Sequence, residues 1–261
     1  MDIKVFDLHT DILTFGFCEE VLLDLLNKER ENGNSLYLAV YTSDANNNLD
    51  YYNRFCFYTN RLCIENCAKI KENEIISLAP FYASLTWNFD NEYAGGALTN
   101  GPITDKGISL IRQFNANRII LDLAHIGKNS FYKAIEISDR VMVSHACCNN
   151  VHSHFRNFTD DQIRLVVEKN GLFGLCFVSD FLTNKTKATI DDVVKHIDYF
   201  CNKFSYNNLA IGTDFFGTKN GVKGVENYSD FIKIYEQLKK MGYDSIVIED
   251  IFFNNANKYK F

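Results

Sequence analysis

The sequence has little proline, no metal-type pairing of cysteines and no basic stretch, and each absence excludes a class of protein. It has two prolines and eight cysteines in 261 residues, and no Cys-x-x-Cys pair occurs, which argues against a zinc ribbon or a thioredoxin motif. The formal net charge is −6, whereas nucleic-acid backbones are bound by clusters of positive charge. We therefore expect no nucleic-acid partner.

Two further absences concern membranes. The N-terminus lacks the basic segment and apolar stretch of a signal peptide, and no apolar run approaches the roughly 20 residues that span a bilayer. We therefore expect no membrane association, a cytoplasmic location and cysteines that remain thiols. The adjacent Cys147 and Cys148 are candidates for oxidation or metal binding, although a buried cysteine is more often a small hydrophobic residue.

The sequence does contain a regular alternation of short β-rich runs with amphipathic segments. The predicted strands are Ile3–Leu8, Leu36–Thr42, Arg61–Glu65, Phe81–Thr86, Arg118–Ala124, Arg140–His145, Leu172–Val178 and Asn208–Asp214. The predicted helices are Glu19–Lys28, Lys106–Phe114, Ser130–Ile137, Asp160–Glu168, Ile190–Phe204 and Ser229–Lys240. Such an alternation predicts an α/β protein with a (β/α)8 TIM barrel, in one domain over residues 1–261. No Gly-x-Gly-x-x-Gly follows the first strand, which weakens the runner-up, an open doubly wound sheet.

Polar side chains with metal-binding chemistry stand where the predicted strands end. Asp7, His9 and Asp11 alternate along the first strand, and residues two apart on a strand point to the same face. The other strand ends carry Glu65, Trp87-Asn88, His125, His145 and Asp214. Since the chemistry of these barrels lies at the C-terminal ends of the strands, we expect these side chains to meet at one rim.

Imidazole and carboxylate groups in this number suit two zinc-type ions, and one carboxylate can bridge a pair of metals. Two metals held close together lower the pKa of a shared water and polarise a carbonyl. Asp214 is a candidate proton acceptor. Each residue alone also has an ordinary structural interpretation. His152 and His154 are expected to contact solvent or substrate, and His196, on a predicted helix, is expected to be structural.

The order and spacing of these segments resemble the membrane (renal) dipeptidase family of the amidohydrolase superfamily, in a compact, bacterial-type form. The segments that carry the resemblance are Asp7-Leu8-His9-Thr10-Asp11, Ile64-Glu65-Asn66, Ser84-Leu85-Thr86-Trp87-Asn88, Leu121-Asp122-Leu123-Ala124-His125, Val143-Ser144-His145, residues 154–161, residues 189–198 and Ile211-Gly212-Thr213-Asp214-Phe215. The resemblance implies a zinc-dependent dipeptidase that hydrolyses dipeptides, including L-D dipeptides, through a metal-bridging hydroxide.

The resemblance also implies a role for each site residue. His9 and Asp11 would hold one zinc ion, His125 and His145 the other, and Glu65 would bridge them. Arg156 would grip the carboxylate of the substrate, since a guanidinium matches a carboxylate. Asp214 would shuttle the proton, Trp87 and Asn88 would contact the substrate, and Asp7 would support the ligands. Family members are often dimers, so a homodimer is an expectation, although no surface stripe in the sequence supports it.

The sequence departs from the family pattern at three places. Trp87 stands where the eukaryotic members have a substrate-facing histidine, Phe216 replaces a second acid, and Asn66-Cys67 follows Glu65 where two glycines are usual. Two alternatives therefore stay open. One is another metal-dependent hydrolysis, of a lactone or a non-peptide amide, and the other is a catalytically degenerate barrel that binds metal or a peptide.

Overall fold

Eight parallel strands close into a barrel in the order in which they occur along the chain, in a computed structural model that describes residues 3–13, 19–42 and 62–259. The strands are β1 (Phe6–Thr10), β2 (Ser35–Tyr41), β3 (Leu62–Glu65), β4 (Tyr82–Ser84), β5 (Ile120–Asp122), β6 (Val141–Ala146), β7 (Leu172–Leu175) and β8 (Leu209–Ile211). Asp7 of β1 pairs with Ile211 of β8 and closes the ring. The (β/α)8 fold class is confirmed.

All eight predicted strands are present, but most are shorter than predicted, and Arg61 lies outside the described residues. At the C-terminal rim, side chains replace the strand ladder as hydrogen-bond acceptors. The Thr213 N–H, just after β8, donates to the Asp7 carboxylate at 2.8 Å, and the Ala124 N–H, after β5, donates to Asp122 at 3.0 Å. The sequence is apolar enough to continue each strand, but the backbone there is bound to carboxylates instead.

The described helices are α1 (Glu19–Glu31), α2 (Glu72–Leu78), α3 (Asp105–Ala116), α4 (Lys128–Ile137), α5 (Asp160–Glu168), α6 (Ser179–Leu182), α7 (Ile190–Lys203), α8 (Phe231–Lys240), α9 (Ser245–Glu249) and α10 (Asn255–Lys258), with a π-helical turn over Asp250–Asn254. The six predicted helices are among them. Thr104 caps α3 by accepting from the Gly107 N–H, and Thr159 forms a capping box with Gln162 at α5. In the part of the chain that is described, no helix is both long and apolar enough to cross a membrane.

The barrel interior below the C-terminal rim is filled by one apolar layer to which every strand contributes. Its members are Phe6, Leu8, Tyr37, Cys63, Tyr82, Ile120, Met142, Leu172 and Ala210. A second, larger core lies between the outer face of the barrel and the helices. The inner layer forms the floor of the rim, so any side chain two residues further along an undistorted strand stands directly above it.

Candidate active site

Three histidines converge on one carboxylate at the C-terminal rim. The Glu65 Oε1 atom lies 2.9 Å from His125 Nε2, 3.8 Å from His145 Nε2 and 3.9 Å from His9 Nε2. The Nε2 atoms of His125 and His145 are themselves 2.9 Å apart. All four side chains are buried. The structure therefore brings together four of the five ligands expected from the sequence, and the fifth, Asp11, lies 3.4 Å from His9 Nε2.

The strands aim these side chains inward in two ways. Glu65 follows the inward-facing Cys63 by two residues on β3, as simple alternation predicts. His9 instead directly follows Leu8, which is part of the inner apolar layer. The pairing of β1 with β2 shifts register around His9, and the pairing of β6 with β7 shifts around His145. Such irregularities re-aim a side chain that alternation would send to the other face.

The second nitrogen of each histidine is held by a neighbouring polar group. The Tyr82 hydroxyl donates to the Leu8 carbonyl at 2.9 Å, which leaves its oxygen to accept from His9 Nδ1–H at 2.9 Å. The Asn88 Oδ1 atom lies 2.9 Å from His125 Nδ1 and can only accept from it. Both rings are therefore held with a proton on Nδ1 and with Nε2 facing the site.

His145 is held in the same way by a buried relay, a chain of hydrogen bonds that runs through Ser144 to Asp122. The Ser144 hydroxyl donates to Asp122 Oδ2 at 2.6 Å, so its oxygen accepts from His145 Nδ1–H at 2.9 Å. Asp122 Oδ1 accepts the backbone N–H groups of Ala124 and Ser144. All three imidazoles thus turn Nε2 toward Glu65 and keep Nδ1 bonded elsewhere, which leaves Nε2 as the nitrogen available to a metal.

The electrostatics of the cluster favour bound cations. Burial, then the positive charge of Arg156, lowers the pKa of His125 well below its usual range, and burial with the charge of His9 does the same for His145. Burial opposes protonation of His9, but Asp11 and Glu65 outweigh it and raise its pKa to about 10. Burial and the nearby Asp11 charge raise the pKa of Glu65. Without a cation, the site can only relieve its carboxylates by taking up protons.

Asp214 lies beside Asp11, on the β8 side of the site. The ligand atoms of His9, Asp11 and Asp214 lie within 4.8 Å of one another. Asp214 has a left-handed backbone conformation, with φ of 61°, which is uncommon outside glycine and frequent at functional sites. Burial of its carboxyl group and the charge of Asp11 raise the pKa of Asp214 well above its usual range. A carboxyl group with a raised pKa can hold a proton and release it again.

Arg156 is the buried cation of the site. Its side chain is 1% exposed, and one terminal nitrogen donates to the His145 carbonyl at 3.3 Å. Its Nε and the other terminal nitrogen have no hydrogen-bond partner among the described residues, and the Phe181 ring lies 5.4 Å from its central carbon. Because unpaired buried donors are costly, these two nitrogens are candidates to bind an anion.

The described donor set fits divalent metal ions. His9 Nε2 is buried and has no hydrogen-bond partner among the described residues, with Asp11 Oδ2 3.4 Å away, and His9, Glu65 and His145 offer ligand atoms within 4.8 Å of one another. His9 belongs to this group and also to the group with Asp11 and Asp214, so the two groups adjoin. Neutral imidazoles together with carboxylates are the ligands of zinc and similar ions. The division of the five ligands between two ions stays a prediction.

Comparison with known proteins agrees with this geometry. The family model for membrane dipeptidase, peptidase family M19, matches residues 73–258. The chain belongs to this family. The match begins beyond Glu65, so the place of His9, Asp11 and Glu65 in the site rests on the structure rather than on the family model. The predicted family resemblance is confirmed.

Relatives in the family are named as dipeptidases. An uncharacterised dipeptidase of Schizosaccharomyces pombe is 32% identical over 183 residues, which is 67% of this chain and 44% of that protein. A dipeptidase of Claviceps purpurea is 27% identical over 182 residues, covering 67% of this chain and 43% of that protein. The matches span less than half the length of these two relatives.

Solved structures show the same fold. A metallopeptidase from Rhodobacter sphaeroides, solved with a phosphinate mimic of the dipeptide L-Ala-D-Ala, superposes with a TM-score of 0.86 over 97% of both chains. It is 18% identical in sequence. At that identity the likeness concerns the fold, which here extends over nearly the whole chain.

The remaining sequence predictions fall at and around the site. The Trp87 ring lies 5.9 Å from the His125 ring and is half-buried, beside the cluster. Asn88 has a partner within the site, His125, so its predicted contact with substrate stays a prediction. His154 lies 4.8 Å from the Phe181 ring that covers Arg156. His196 accepts from the Cys148 N–H and faces the Leu182 carbonyl, a structural role as expected.

Asn66 shows how the chain accommodates one departure from the family pattern. It has φ of 71°, a conformation that asparagine tolerates better than most residues. Its N–H donates to Ser84 Oγ at 2.9 Å, and its side-chain amide donates to the Thr42 carbonyl at 2.8 Å. Glu65 therefore stays in the cluster without the usual glycines after it.

The sequence interpretation missed three supporting residues. Tyr82 and Ser144 hold histidines, and Gly217 leaves room for two acids, since a Cβ atom there would lie 2.2 Å from Asp214 Oδ1 and 2.3 Å from Asp11 Oδ2. Ser144 directly precedes His145 in the sequence, so its contact with that histidine could have been predicted. Tyr82 is 73 residues from His9, and only the closed barrel brings the two together.

Proposed function

We propose that this protein is a metal-dependent dipeptidase that takes two zinc ions and cleaves the peptide bond of dipeptides, including L-D dipeptides. One observation carries the proposal. A fully buried arginine, two of whose nitrogens have no hydrogen-bond partner among the described residues, lies beside a cluster of three histidines and a glutamate, all with metal-ligand chemistry. A substrate with a free carboxylate would satisfy the arginine and place its neighbouring peptide bond toward the cluster.

His9, Asp11, Glu65, His125 and His145 would hold the ions. Bound divalent metal supplies a water of lowered pKa and polarises a carbonyl group. The choice of zinc is favoured by the imidazole and carboxylate donors. The Rhodobacter sphaeroides enzyme binds a mimic of L-Ala-D-Ala, and its fold matches this chain, which supports an L-D dipeptide as one substrate.

The chain's own residues supply the other steps. Arg156 binds the terminal carboxylate of the dipeptide through these two nitrogens, which orients the peptide bond. Asp214 accepts the proton of the attacking water and delivers it to the departing amine, since its carboxyl group lies within 4.8 Å of the ligand atoms of His9 and Asp11. Trp87 borders the site at His125 and limits the space for the N-terminal part of the substrate.

A dipeptide screen tests the proposal. The purified protein would be assayed on L-Ala-L-Ala and L-Ala-D-Ala with and without added Zn²⁺, and its metal content measured by elemental analysis. Arg156→Ala should raise KM by roughly 10- to 150-fold, because hydrogen bonds to a charged group contribute about 1.5–3 kcal/mol. Asp214→Asn should leave the metal content largely unchanged but lower kcat severely.

Arg164→Ala is the matched control, because Arg164 is an exposed arginine that pairs with Asp161 and Glu168 at the surface. It should hydrolyse dipeptides like the wild type. Equal kinetics for wild type and Arg156→Ala on dipeptides would contradict the carboxylate contact. Hydrolysis only of lactones or of amides without a carboxylate would instead favour the alternative reaction. Less than one metal ion per chain would favour a degenerate barrel.

A further inference from the structure

We propose that Asn157 is a positioning residue that holds Arg156 in its binding orientation by tying together the two loops that enclose the arginine. The inference rests on the proposed function in one respect, that Arg156 binds the carboxylate of the substrate. Both residues lie on the arginine loop, residues 147–159, which joins β6 to α5. The second loop, the cover segment, comprises residues 176–183 after β7 and includes α6.

The side-chain amide of Asn157 joins the two loops directly. The residue is 7% exposed. Its Nδ2 group donates one hydrogen bond to the His152 carbonyl at 2.8 Å and another to the Phe181 carbonyl at 2.7 Å. His152 belongs to the arginine loop and Phe181 to the cover segment, so the two N–H donors of the amide are divided between the loops.

The position of Phe181 connects this tie to Arg156. Among the described residues, the guanidinium makes one hydrogen bond, to the His145 carbonyl at 3.3 Å. One hydrogen bond does not fix a side chain with several rotatable bonds, so packing has to supply the rest of its orientation. The Phe181 ring lies 5.4 Å from the guanidinium carbon, and arginine stacks favourably on aromatic rings. A shift of the cover segment would therefore release the arginine.

A separate contact keeps the two loops together when Asn157 is changed. His196, on α7, accepts from the Cys148 N–H of the arginine loop and faces the Leu182 carbonyl of the cover segment, with 3.1 Å in each case. That link is independent of Asn157, which is the one adjacent to Arg156 in the chain. Loss of the asparagine amide should thus loosen the enclosure of the arginine without unfolding the loops.

Asn255 is a matched control at the other end of the barrel. It is also 7% exposed, and its Nδ2 group also donates to two backbone carbonyls, those of Tyr206 at 2.7 Å and Leu209 at 2.8 Å. Leu209 begins β8, so these bonds lie at the N-terminal end of the barrel, away from the rim. Asn157→Ala and Asn255→Ala remove the same kind and number of hydrogen bonds, but only the first removes them beside Arg156.

The first measurement is the kinetics of dipeptide hydrolysis by the full chain with added Zn²⁺. Asn157→Ala should raise KM roughly 5- to 30-fold, as the loss of two ordinary hydrogen bonds predicts. It should leave kcat within about twofold of the wild type, since the carboxylate of the substrate does not react. Asn157→Asp, which has the same shape but no N–H donor, should raise KM as well. Asn255→Ala should keep the wild-type KM.

A double-mutant cycle shows whether Asn157 acts through Arg156. In the Arg156→Ala background, Asn157→Ala should change KM by less than about twofold, because the group that it positions is gone. The same fold-increase in both backgrounds would overturn the proposal. A wild-type KM in Asn157→Asp would also overturn it. An equal rise of KM in Asn255→Ala would do so too, because the effect would then be one of general stability.

Hydrogen exchange distinguishes a failure of this inference from a failure of the proposed function. Amide exchange in the cover segment is followed by mass spectrometry without substrate. Asn157→Ala should accelerate this exchange roughly 5- to 30-fold, whereas Asn255→Ala should leave it unchanged. If the wild type hydrolyses no dipeptide, the proposed function fails and the exchange rates decide about Asn157. Wild-type exchange in Asn157→Ala would then overturn the tie between the loops, and faster exchange would support it.

Discussion

The Nε2 atoms of His125 and His145 face each other at 2.9 Å inside the barrel rim. Both rings have their Nδ1 protons bonded elsewhere, to Asn88 and Ser144. Two lone pairs at that distance repel unless a proton or a metal ion lies between or beside them. The relationship predicts that the rim is a cation site and that its occupancy stabilises the barrel.

Divalent metal is therefore expected to stabilise the protein against heat. At a free Zn²⁺ concentration 100 times the dissociation constant, binding adds about 2.7 kcal/mol, or roughly 5–10 °C in the melting temperature of a chain of this size. Calorimetry of chelator-treated protein with and without Zn²⁺ measures this. Glu65→Gln, which removes the central charge, should shrink the shift, and His154→Gln, outside the cluster, should keep it. A melting temperature indifferent to Zn²⁺, Co²⁺ and Mn²⁺ would refute the cation site.

Gly217 offers a test of the acid pair. In Gly217→Ala, the added Cβ would lie 2.2 Å from Asp214 Oδ1 and 2.3 Å from Asp11 Oδ2, so one or both carboxylates must move. Displacement of reacting groups by about 1 Å can cost 100-fold in rate. We expect kcat/KM on a dipeptide to fall by at least tenfold. Gly221→Ala is the control, because a Cβ there meets nothing within 4 Å, and it should retain full activity. Equal activity of the two variants would show that the acids are not held as described.

Sequence patterns predicted the barrel well because a parallel strand buried on both faces is a short apolar run between helices. Glu65 was predicted from its place at the end of a strand, and it shares a face with Cys63, as simple alternation requires. Alternation does not account for His9 and His145, which face inward through local shifts of register. Those shifts depend on how neighbouring strands pair, which no local pattern encodes.

The contacts that support the ligands were harder to predict from the sequence than the ligands themselves. The left-handed conformations of His125 and Asp214, with φ of 64° and 61°, are ones that histidine and aspartate tolerate, but no strand pattern predicts them. Asp7 was expected to support the ligands. In the structure its carboxylate accepts the His9 and Thr213 N–H groups and the Tyr228 hydroxyl, so it ties β1 to β8 beneath the site. Only the closed barrel brings Thr213 and Tyr228 next to Asp7, so the sequence alone does not show that Asp7 joins β1 to β8.

Ser144 is expected to matter for metal binding although it contacts no substrate. Ser144→Ala removes the acceptor of His145 Nδ1–H and leaves Asp122 Oδ2 without its 2.6 Å partner. We expect Zn²⁺ affinity, measured by chelator competition, to fall 10- to 100-fold. Ser130→Ala is matched to it, because Ser130 is equally buried but its hydroxyl bonds only the backbone, at Gly101 and Gly95. Indistinguishable affinities for the two variants would mean that the relay does not orient His145.

His196 gives a prediction of pH dependence away from the site. It is buried on α7, where Nδ1 accepts from the Cys148 N–H and Nε2 donates to the Leu182 carbonyl. Burial lowers its pKa from the ordinary 6.5 to about 4. Between these pH values the unfolded chain binds a proton that the folded protein does not, so the free energy of unfolding falls as the pH falls. In full, the free energy of unfolding lost through His196 is roughly 3 kcal/mol. The loss is complete near pH 4, and His196 contributes no further loss below that pH.

His196→Gln should remove this dependence, because a glutamine side chain can accept and donate the same two hydrogen bonds but does not titrate. Urea unfolding at a series of pH values from 4 to 8.5 measures the effect. Above pH 7, where the histidine is neutral in both states, the curves of wild type and variant should run parallel. From pH 6.5 downward the wild type should lose up to about 1.4 kcal/mol per pH unit more than the variant. Curves that stay parallel down to pH 4 would show that His196 protonates in the folded protein as readily as in the unfolded chain.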